Sequence, residues 1–389
     1  MATKRVLIVG AGFAGIAAAR QLGRCKLAEV TVLDRRNHHV FQPLLYQVAM
    51  AGLDPSEIAR PIRSMLHRYG NVRTLLGMAT QVDTSRRVVS SEAGELPYDY
   101  LVMACGAHHS YFGNEQWEDF APGLKNIPQA TEIRRRVLRA FEMAERTPDK
   151  AEQEHYLNFV IVGGGPTGVE LAGAIAEMAR HTLRRDFRNI NAADARVILV
   201  QGGERILEQF PDDLSSYGKR ALEELGVEVR LGDHVTLIDE EGVRIGEQFL
   251  KAKTVIWAAG VQASPLGATL GTDTNRSGQV VVGPDLSIAG HSEVFVLGDQ
   301  ASAVGDDGKP LPGLAPVAMQ QGKYVGKLIA KEIKADREPS SVGRAPFRYY
   351  DKGQMATIGR RRAVAQSGKI KLTGVVAWLA WLFIHILYL

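Results

Sequence analysis

Two sets of glycines have the spacing that lets a polypeptide hold a diphosphate. Gly10, Gly12 and Gly15 follow the apolar run Val6 to Val9, and Gly163, Gly165 and Gly168 follow Phe159 to Val162. Each set reads G-x-G-x-x-G and leads into an Ala-rich stretch of helical character. In such a unit the first glycine makes the tight turn, the second admits the pyrophosphate and the third lets helix pack on strand. The new helix offers unpaired N–H groups and the positive end of its dipole to the anion. Asp34 closes a second apolar run, Val30 to Leu33. It lies at the distance, about 20 residues on, at which a carboxylate meets a ribose hydroxyl pair.

The elements that must position these residues recur along the chain. Leu101-Val-Met-Ala-Cys-Gly-Ala107 and Thr254-Val-Ile-Trp-Ala-Ala-Gly-Val261 are apolar strands ending in small-residue turns that let a cofactor approach the backbone. Val294 to Asp299 is a third, and its Asp299 is placed to accept hydrogen bonds from a polyol chain or to serve as a plain strand-end turn. Arg196 to Val200 continues the sheet begun at Phe159, and Thr131 to Glu145 reads as a charged helix. The order implies one nucleotide domain interrupted by a second and then resumed: residues 1–115 and 268–330, with 116–267 inserted and 331–389 following. The fold class expected is α/β, with two Rossmann-like dinucleotide-binding domains.

Composition narrows the chemistry. The 389 residues are 45% hydrophobic and 23% charged, as in a globular protein, and the net charge of +4 comes without a long basic block or an RNA-type aromatic motif, so no nucleic-acid partner is expected. Cys25 and Cys105 are the only cysteines and lie far apart, which leaves no disulfide framework and no cysteine-based metal site. No metal ligand set is read. The apolar run at Val6 to Val9 is too short for a signal peptide, so the chain is expected to begin folded in the cytosol.

Asn37-His-His-Val-Phe-Gln-Pro-Leu-Leu-Tyr-Gln-Val-Ala49, Gly163 to Gly173, Ala315-Pro-Val-Ala-Met-Gln-Gln-Gly322 and Tyr350-Asp-Lys-Gly353 resemble the landmarks of the type II NADH:quinone oxidoreductases, non-pumping two-dinucleotide flavoproteins. The resemblance covers nearly the whole chain. It implies an FAD domain interrupted by an NAD(P)H domain. FAD would lie at Gly10, Gly12 and Gly15, with Asp34 on the adenosine ribose, Asp299 on the ribityl chain, and Arg35, Val82 and Gly106 completing the site. NADH would take Gly163, Gly165, Thr167, Gly168, Gln201 and Gly260. Hydride would pass from NADH to the flavin and two electrons on to a membrane quinone, the fold mainly supplying orientation.

Glu170, assigned from spacing to the first turn of its helix, is open between a carboxylate favoured by the helix dipole and a functional group; the resemblance places it close to nicotinamide and flavin. Lys352 is otherwise a turn lysine, which the resemblance brings toward the flavin and quinone as a cation that stabilises negative charge. These two are the expected catalytic residues. Gln320 and Gln321 would lie beneath the flavin at the quinone, and Pro316 stands where many members carry a pocket-lining glutamine. Gln201 stands where an acid is expected, so discrimination against the 2′-phosphate of NADPH is weakened, and Arg205 could favour that phosphate.

Leu372 to Leu389 carries no Asp, Glu, Lys or Arg and follows Arg360, Arg361, Arg362, Lys369 and Lys371. With Trp378, Trp381 and Tyr388 as interfacial aromatics, it reads as a helix lying on an anionic lipid surface, in a peripheral protein of the cytoplasmic face of the inner membrane. The family usually continues further, so this C-terminal membrane-associating region looks truncated. A single apolar segment encloses no proton path, which excludes pumping. A homodimer is possible by resemblance. The competing readings are a sulfide:quinone reductase, for which Cys105 alone could serve as redox thiol, a ferredoxin-type reductase, and an NAD(P)H-responsive sensor or scaffold flavoprotein.

Overall fold

The computed structural model describes residues 3–340 and 342–388, with side chains followed through Ile386. The chain forms two compact units. The first comprises Met1–Val40, Ala59–His108 and Val261–Asp351, and the second Phe41–Ile58, His109–Gly260 and Lys352–Leu389.

The first unit is built on a six-stranded sheet in the spatial order Ser287–Ile288, His291–Val296, Tyr100–Met103, Lys4–Val9, Ala28–Asp34 and Val72–Leu76. All neighbours are parallel except the short Ser287–Ile288 edge. Its strands are apolar on both faces, as a parallel sheet covered on both sides requires. Val6, Ile8, Val30 and Val32 face one core, and Leu7, Val9, Leu33 and Met103 the other. The Ala-rich helix Phe13–Leu22 lies against the helix Ala315–Lys334. Close passage is possible because Gly322 sits over the Ala14 carbonyl and Gly326 over that of Ala18, where an added Cβ would collide with the oxygen.

The second unit repeats the plan with four parallel strands, Val227–Leu231, Arg196–Gln201, Asn158–Val162 and Thr254–Trp257. The helix Ile127–Arg146 is capped by Asn126, whose side chain accepts the Gln129 N–H. A three-stranded antiparallel sheet, Gln354–Gly359, Arg362–Ser367 and Ile370–Thr373, and a helix, Gly374–Tyr388, complete this unit.

The C-terminal piece expected over 331–389 is thus shared between the units, for two physical reasons. Up to Asp351 it is held in the first unit by Arg344, which is buried and bonds both Asp285, at 2.8 Å, and Glu332, at 2.7 Å. Tyr100 donates to the same Glu332, and the guanidinium lies over the Phe295 ring. Burial pushes Asp285 upward, but its bonds from Arg344 and Ser287 outweigh that and hold it below the usual carboxylate range. From Lys352 onward the chain joins the second unit, because Gly173 lets the Ile358 carbonyl come directly against the helix Pro166–Glu177, where a Cβ would overlap it.

The apolar run at the C-terminus divides. Leu372 and Thr373 finish a strand, Gly374 turns the chain at φ 66°, and the helix begins there. No helix among the described residues is long and apolar enough to cross a membrane. Trp381, expected at a lipid interface, is instead buried against Tyr46 and His385, and Trp378 packs beside Ala363, Ala365 and Ala377. The Tyr388 side chain lies outside the described residues. In the basic cluster, Arg362 pairs with Glu224 and Lys371 with Asp213.

Removing Arg344 would leave two buried carboxylates uncompensated. Arg344→Ala is expected to lower the unfolding free energy of the first unit by about 3–5 kcal/mol, measured by denaturant unfolding; a loss under about 1 kcal/mol, the level of an exposed pair, would contradict the role given to this cluster.

Candidate dinucleotide sites and a buried carboxylate

The two glycine turns are built alike. Gly10 donates its N–H to Leu33 O at 2.8 Å and Gly163 to Val200 O at 2.8 Å. Both adopt φ values, 99° and 113°, that side-chain-bearing residues rarely take. A Cβ on Gly15 would overlap the Gly10 carbonyl, and one on Gly168 the Gly163 carbonyl, whereas Gly12 and Gly165 face open space. Those last two are the N-caps of the helices Phe13–Leu22 and Pro166–Glu177, and neither offers a capping side chain to the helix N–H groups. The donors at each helix start are thereby left available to an external anion. Thr167 occupies the first turn of the second helix.

In the first unit Asp34 accepts the Ala11 N–H at 2.6 Å and the Arg36 N–H at 2.8 Å, which fixes its carboxylate beside the turn, with Arg35 exposed next to it. Gln321 is 1% exposed and accepts the Gly298 N–H at 2.7 Å, so it sets the turn that carries Asp299. Its neighbour Gln320 is fully engaged with the backbone of Tyr350, donating to its carbonyl and accepting its N–H at 2.9 and 3.0 Å. Pro316 lies in the first turn of Ala315–Lys334, where a missing N–H costs nothing. Val82 is buried and donates its N–H to Thr269 Oγ1, and Gly106 holds φ 68° in its turn.

Gln300, which sequence reasoning passed over, is fully buried. Its Oε1 accepts the Cys105 N–H, while its Nε2 has no partner in the protein. Burial pushes the Cys105 thiol up to about 12, which suits a packing residue and not a redox thiolate.

In the second unit Glu170 is the fifth residue of Pro166–Glu177, so it lies past the first turn and the dipole contact expected of it does not apply. Its environment is set by burial, which pushes the carboxyl up to about 8, only partly offset by the Thr357 N–H donated to Oε1 at 3.4 Å. Thr357 Oγ1 donates to the Tyr46 hydroxyl at 3.0 Å, and Gln47 donates to it at 3.1 Å. Burial first and the Glu170 charge second raise Tyr46 above its ordinary value. Glu170, Thr357 and Tyr46 thus form one cluster. Thr357 gave no motif signal, and Tyr46 lay within a recognised stretch but carried no role. Lys352 is exposed just before the strand Gln354–Gly359, and Gly260 packs beneath the Phe112 ring.

Comparison with known proteins accords with this architecture. The family described as pyridine nucleotide-disulphide oxidoreductase matches residues 4–322. The type II NADH:quinone oxidoreductase NdhA of Mycobacterium tuberculosis is 43% identical over 99% of this chain and 83% of its own length. The chain belongs to the type II NADH:quinone oxidoreductases. A second member of the family from the same organism, Ndh, is also 43% identical, over 99% of this chain and 84% of its own. NDH2 from Plasmodium falciparum, solved in complex with NADH, shares the fold at a TM-score of 0.90 and 20% identity, covering 100% of this chain and 95% of that one.

The first unit fits the FAD that this family implies: an uncapped helix start with room at Gly12, a fixed carboxylate at Asp34 and an unpartnered buried amide at Gln300 Nε2. Among the described residues no group of acidic, histidine or cysteine side chains could hold a metal.

At neutral pH the Glu170 carboxyl is protonated in the folded protein. Its folded value of about 8 exceeds the ordinary 4.5, so its contribution to stability is complete below pH 4.5 and is lost as pH rises through 8. Glu170→Gln should match the wild type in Tm at pH 5 and exceed it at pH 9, by about 2–4 °C for each kcal/mol of carboxylate desolvation avoided. Parallel Tm curves across that range would contradict the desolvated setting of this group.

Proposed function

We infer that the protein oxidises NADH and reduces a membrane quinone by way of FAD, without ion pumping. The observation that carries this reading is the duplication of one anion-binding turn, once in each unit, in a chain 43% identical over its length to type II NADH:quinone oxidoreductases. FAD, when bound, supplies the two-electron chemistry that joins a hydride donor to a quinone. The first unit holds it through the Gly10 to Gly15 turn, Asp34 and Asp299, and the second holds NADH through the Gly163 to Gly168 turn.

Reduction of a quinone to a quinol also consumes two protons. Glu170, protonated at neutral pH and linked through Thr357 to Tyr46, can hold one of them. Lys352 supplies positive charge toward the electron-accepting end of the reaction. Pro316 starts its helix, Gln320 fixes Tyr350 and Gln321 fixes the Gly298 turn, so these three act on the quinone side by shaping backbone.

The helix Gly374–Tyr388 leaves Val375, Val376, Leu379, Phe383 and Ile386 exposed on one side while Ala377 and Trp381 are buried on the other. An apolar stripe of this kind, with Arg360, Arg361 and Lys369 exposed nearby in sequence, supports a peripheral position on an anionic lipid surface, on the cytoplasmic face, where quinone is dissolved.

The deciding experiment is anaerobic bleaching of the flavin by NADH followed by reoxidation with a short-chain quinone. Bleaching with no reoxidation by any quinone would replace this reading with that of a redox sensor. Glu170→Gln is expected to keep its FAD and lose roughly ten- to a hundredfold in kcat with quinone; unchanged kcat would remove Glu170 from the reaction. Leu379→Glu with Phe383→Glu should abolish sedimentation with anionic vesicles while short-chain quinone turnover persists, and retained sedimentation would count against the lipid-facing stripe.

A further inference from the structure

The strand Arg196–Gln201 ends on an amide where the equivalent strand of the first unit ends on Asp34, yet the two side chains make the same contact. Asp34 accepts the Ala11 N–H at 2.6 Å and Gln201 Oε1 accepts the Gly164 N–H at 2.7 Å. The amide contributes no charge of its own. Its Nε2, however, donates to Glu208 Oε1 at 2.9 Å, so a carboxylate from the following loop stands at the end of this strand.

The loop is shaped to bring it there. Leu207 N–H donates to the Gly164 carbonyl at 2.7 Å, which anchors the loop to the glycine turn itself. Leu207 is fully buried with φ 50°, a left-handed conformation that a bulky residue adopts only when its surroundings impose it. The chain then doubles back, and the Glu208 carboxylate lies over Gly203, where an added Cβ would overlap its Oε1. Glu208 is exposed, as a group meeting a ligand must be. Arg205, the residue that could have received a phosphate, is committed elsewhere: it donates to Phe210 O at 3.1 Å and Glu208 O at 2.9 Å and pairs with Asp212.

We propose that Glu208, positioned by Gln201, is the residue that selects NADH over NADPH. Its carboxylate takes the place of the missing strand-end acid, accepting hydrogen bonds from the adenosine ribose hydroxyls and repelling a 2′-phosphate. It predicts the opposite of what Gln201 alone implies, which is weakened discrimination. The proposal rests on the reading of the second unit as the NADH site.

The test uses the FAD-loaded enzyme with NADH and NADPH at fixed ionic strength. In Glu208→Gln and Glu208→Ala the ratio of kcat/KM for NADPH to that for NADH should rise at least tenfold, through a lower KM for NADPH as the repulsion goes and a higher KM for NADH as the ribose hydrogen bonds are lost. Inhibition by 2′,5′-ADP should strengthen in both variants, while inhibition by 5′-AMP, which keeps both ribose hydroxyls, should weaken. An unchanged ratio, or an equal fall for both donors, would overturn the proposal. Failure of NADH to bleach the wild-type flavin would instead overturn the underlying assignment of the second unit, a result separable from an unchanged ratio.

Discussion

Twice in this chain a helix crosses directly above the carbonyl of the turn that begins it, at a separation that excludes a single side-chain carbon. Gly15 over Gly10 and Gly168 over Gly163 are those crossings. Because each helix sits so low on its sheet, its uncapped N-terminus lies at the sheet's carboxyl edge, beside the side chain that ends the next strand. Any larger residue at the third glycine would lift the helix away from the turn whose N–H groups, at Ala11 and Gly164, are bonded by Asp34 and Gln201. The proposed dinucleotide binding, ribose contact and choice between donors all depend on that one steric allowance.

Within the second unit the same helix serves a second purpose. Its start leaves backbone donors uncapped, while its middle carries Glu170 into surroundings that disfavour charge. Gly173, one turn further on, admits the Ile358 carbonyl and so places the Thr357 N–H against the Glu170 carboxyl. A neutral acid and an anion-attracting helix start therefore coexist a few residues apart. The first depends on burial by the C-terminal strands, the second on exposed backbone donors.

What the sequence made legible is what local chain chemistry determines. Apolar runs entering glycine turns marked the central strands and both glycine turns, and the Ala-rich stretch after Gly15 marked the helix Phe13–Leu22. Features that depended on a distant partner were not legible. Glu170 lies past the first helical turn because Pro166, favoured at a first helical position, already begins the helix. Trp381 read as interfacial because only its neighbours in sequence were visible, whereas Tyr46, far earlier in the chain, buries it. Arg205 read as an open cation because two of its acceptors are backbone carbonyls and the third, Asp212, carries no pattern linking it to Arg205. The carboxylate of Glu208 reaches the strand end only through the left-handed backbone at Leu207, which leucine does not advertise. Arg344, Asp285 and Glu332 stand far apart in sequence and had no pattern at all.

The first unit draws its sheet from both halves of the polypeptide. His291–Val296 inserts beside Tyr100–Met103, and Ala315–Lys334 covers Phe13–Leu22 through Gly322 and Gly326. On the ribosome the first glycine turn therefore emerges long before its covering helix exists, with an alanine face left bare in the interval. The strands Asn158–Val162, Arg196–Gln201, Val227–Leu231 and Thr254–Trp257 follow one another without such a detour. Vectorial synthesis lets the second sheet close while the first still waits. The helix that covers the first glycine turn is complete only once Lys334 has been made, so the first unit is finished late although its glycine turn is among the earliest segments synthesised.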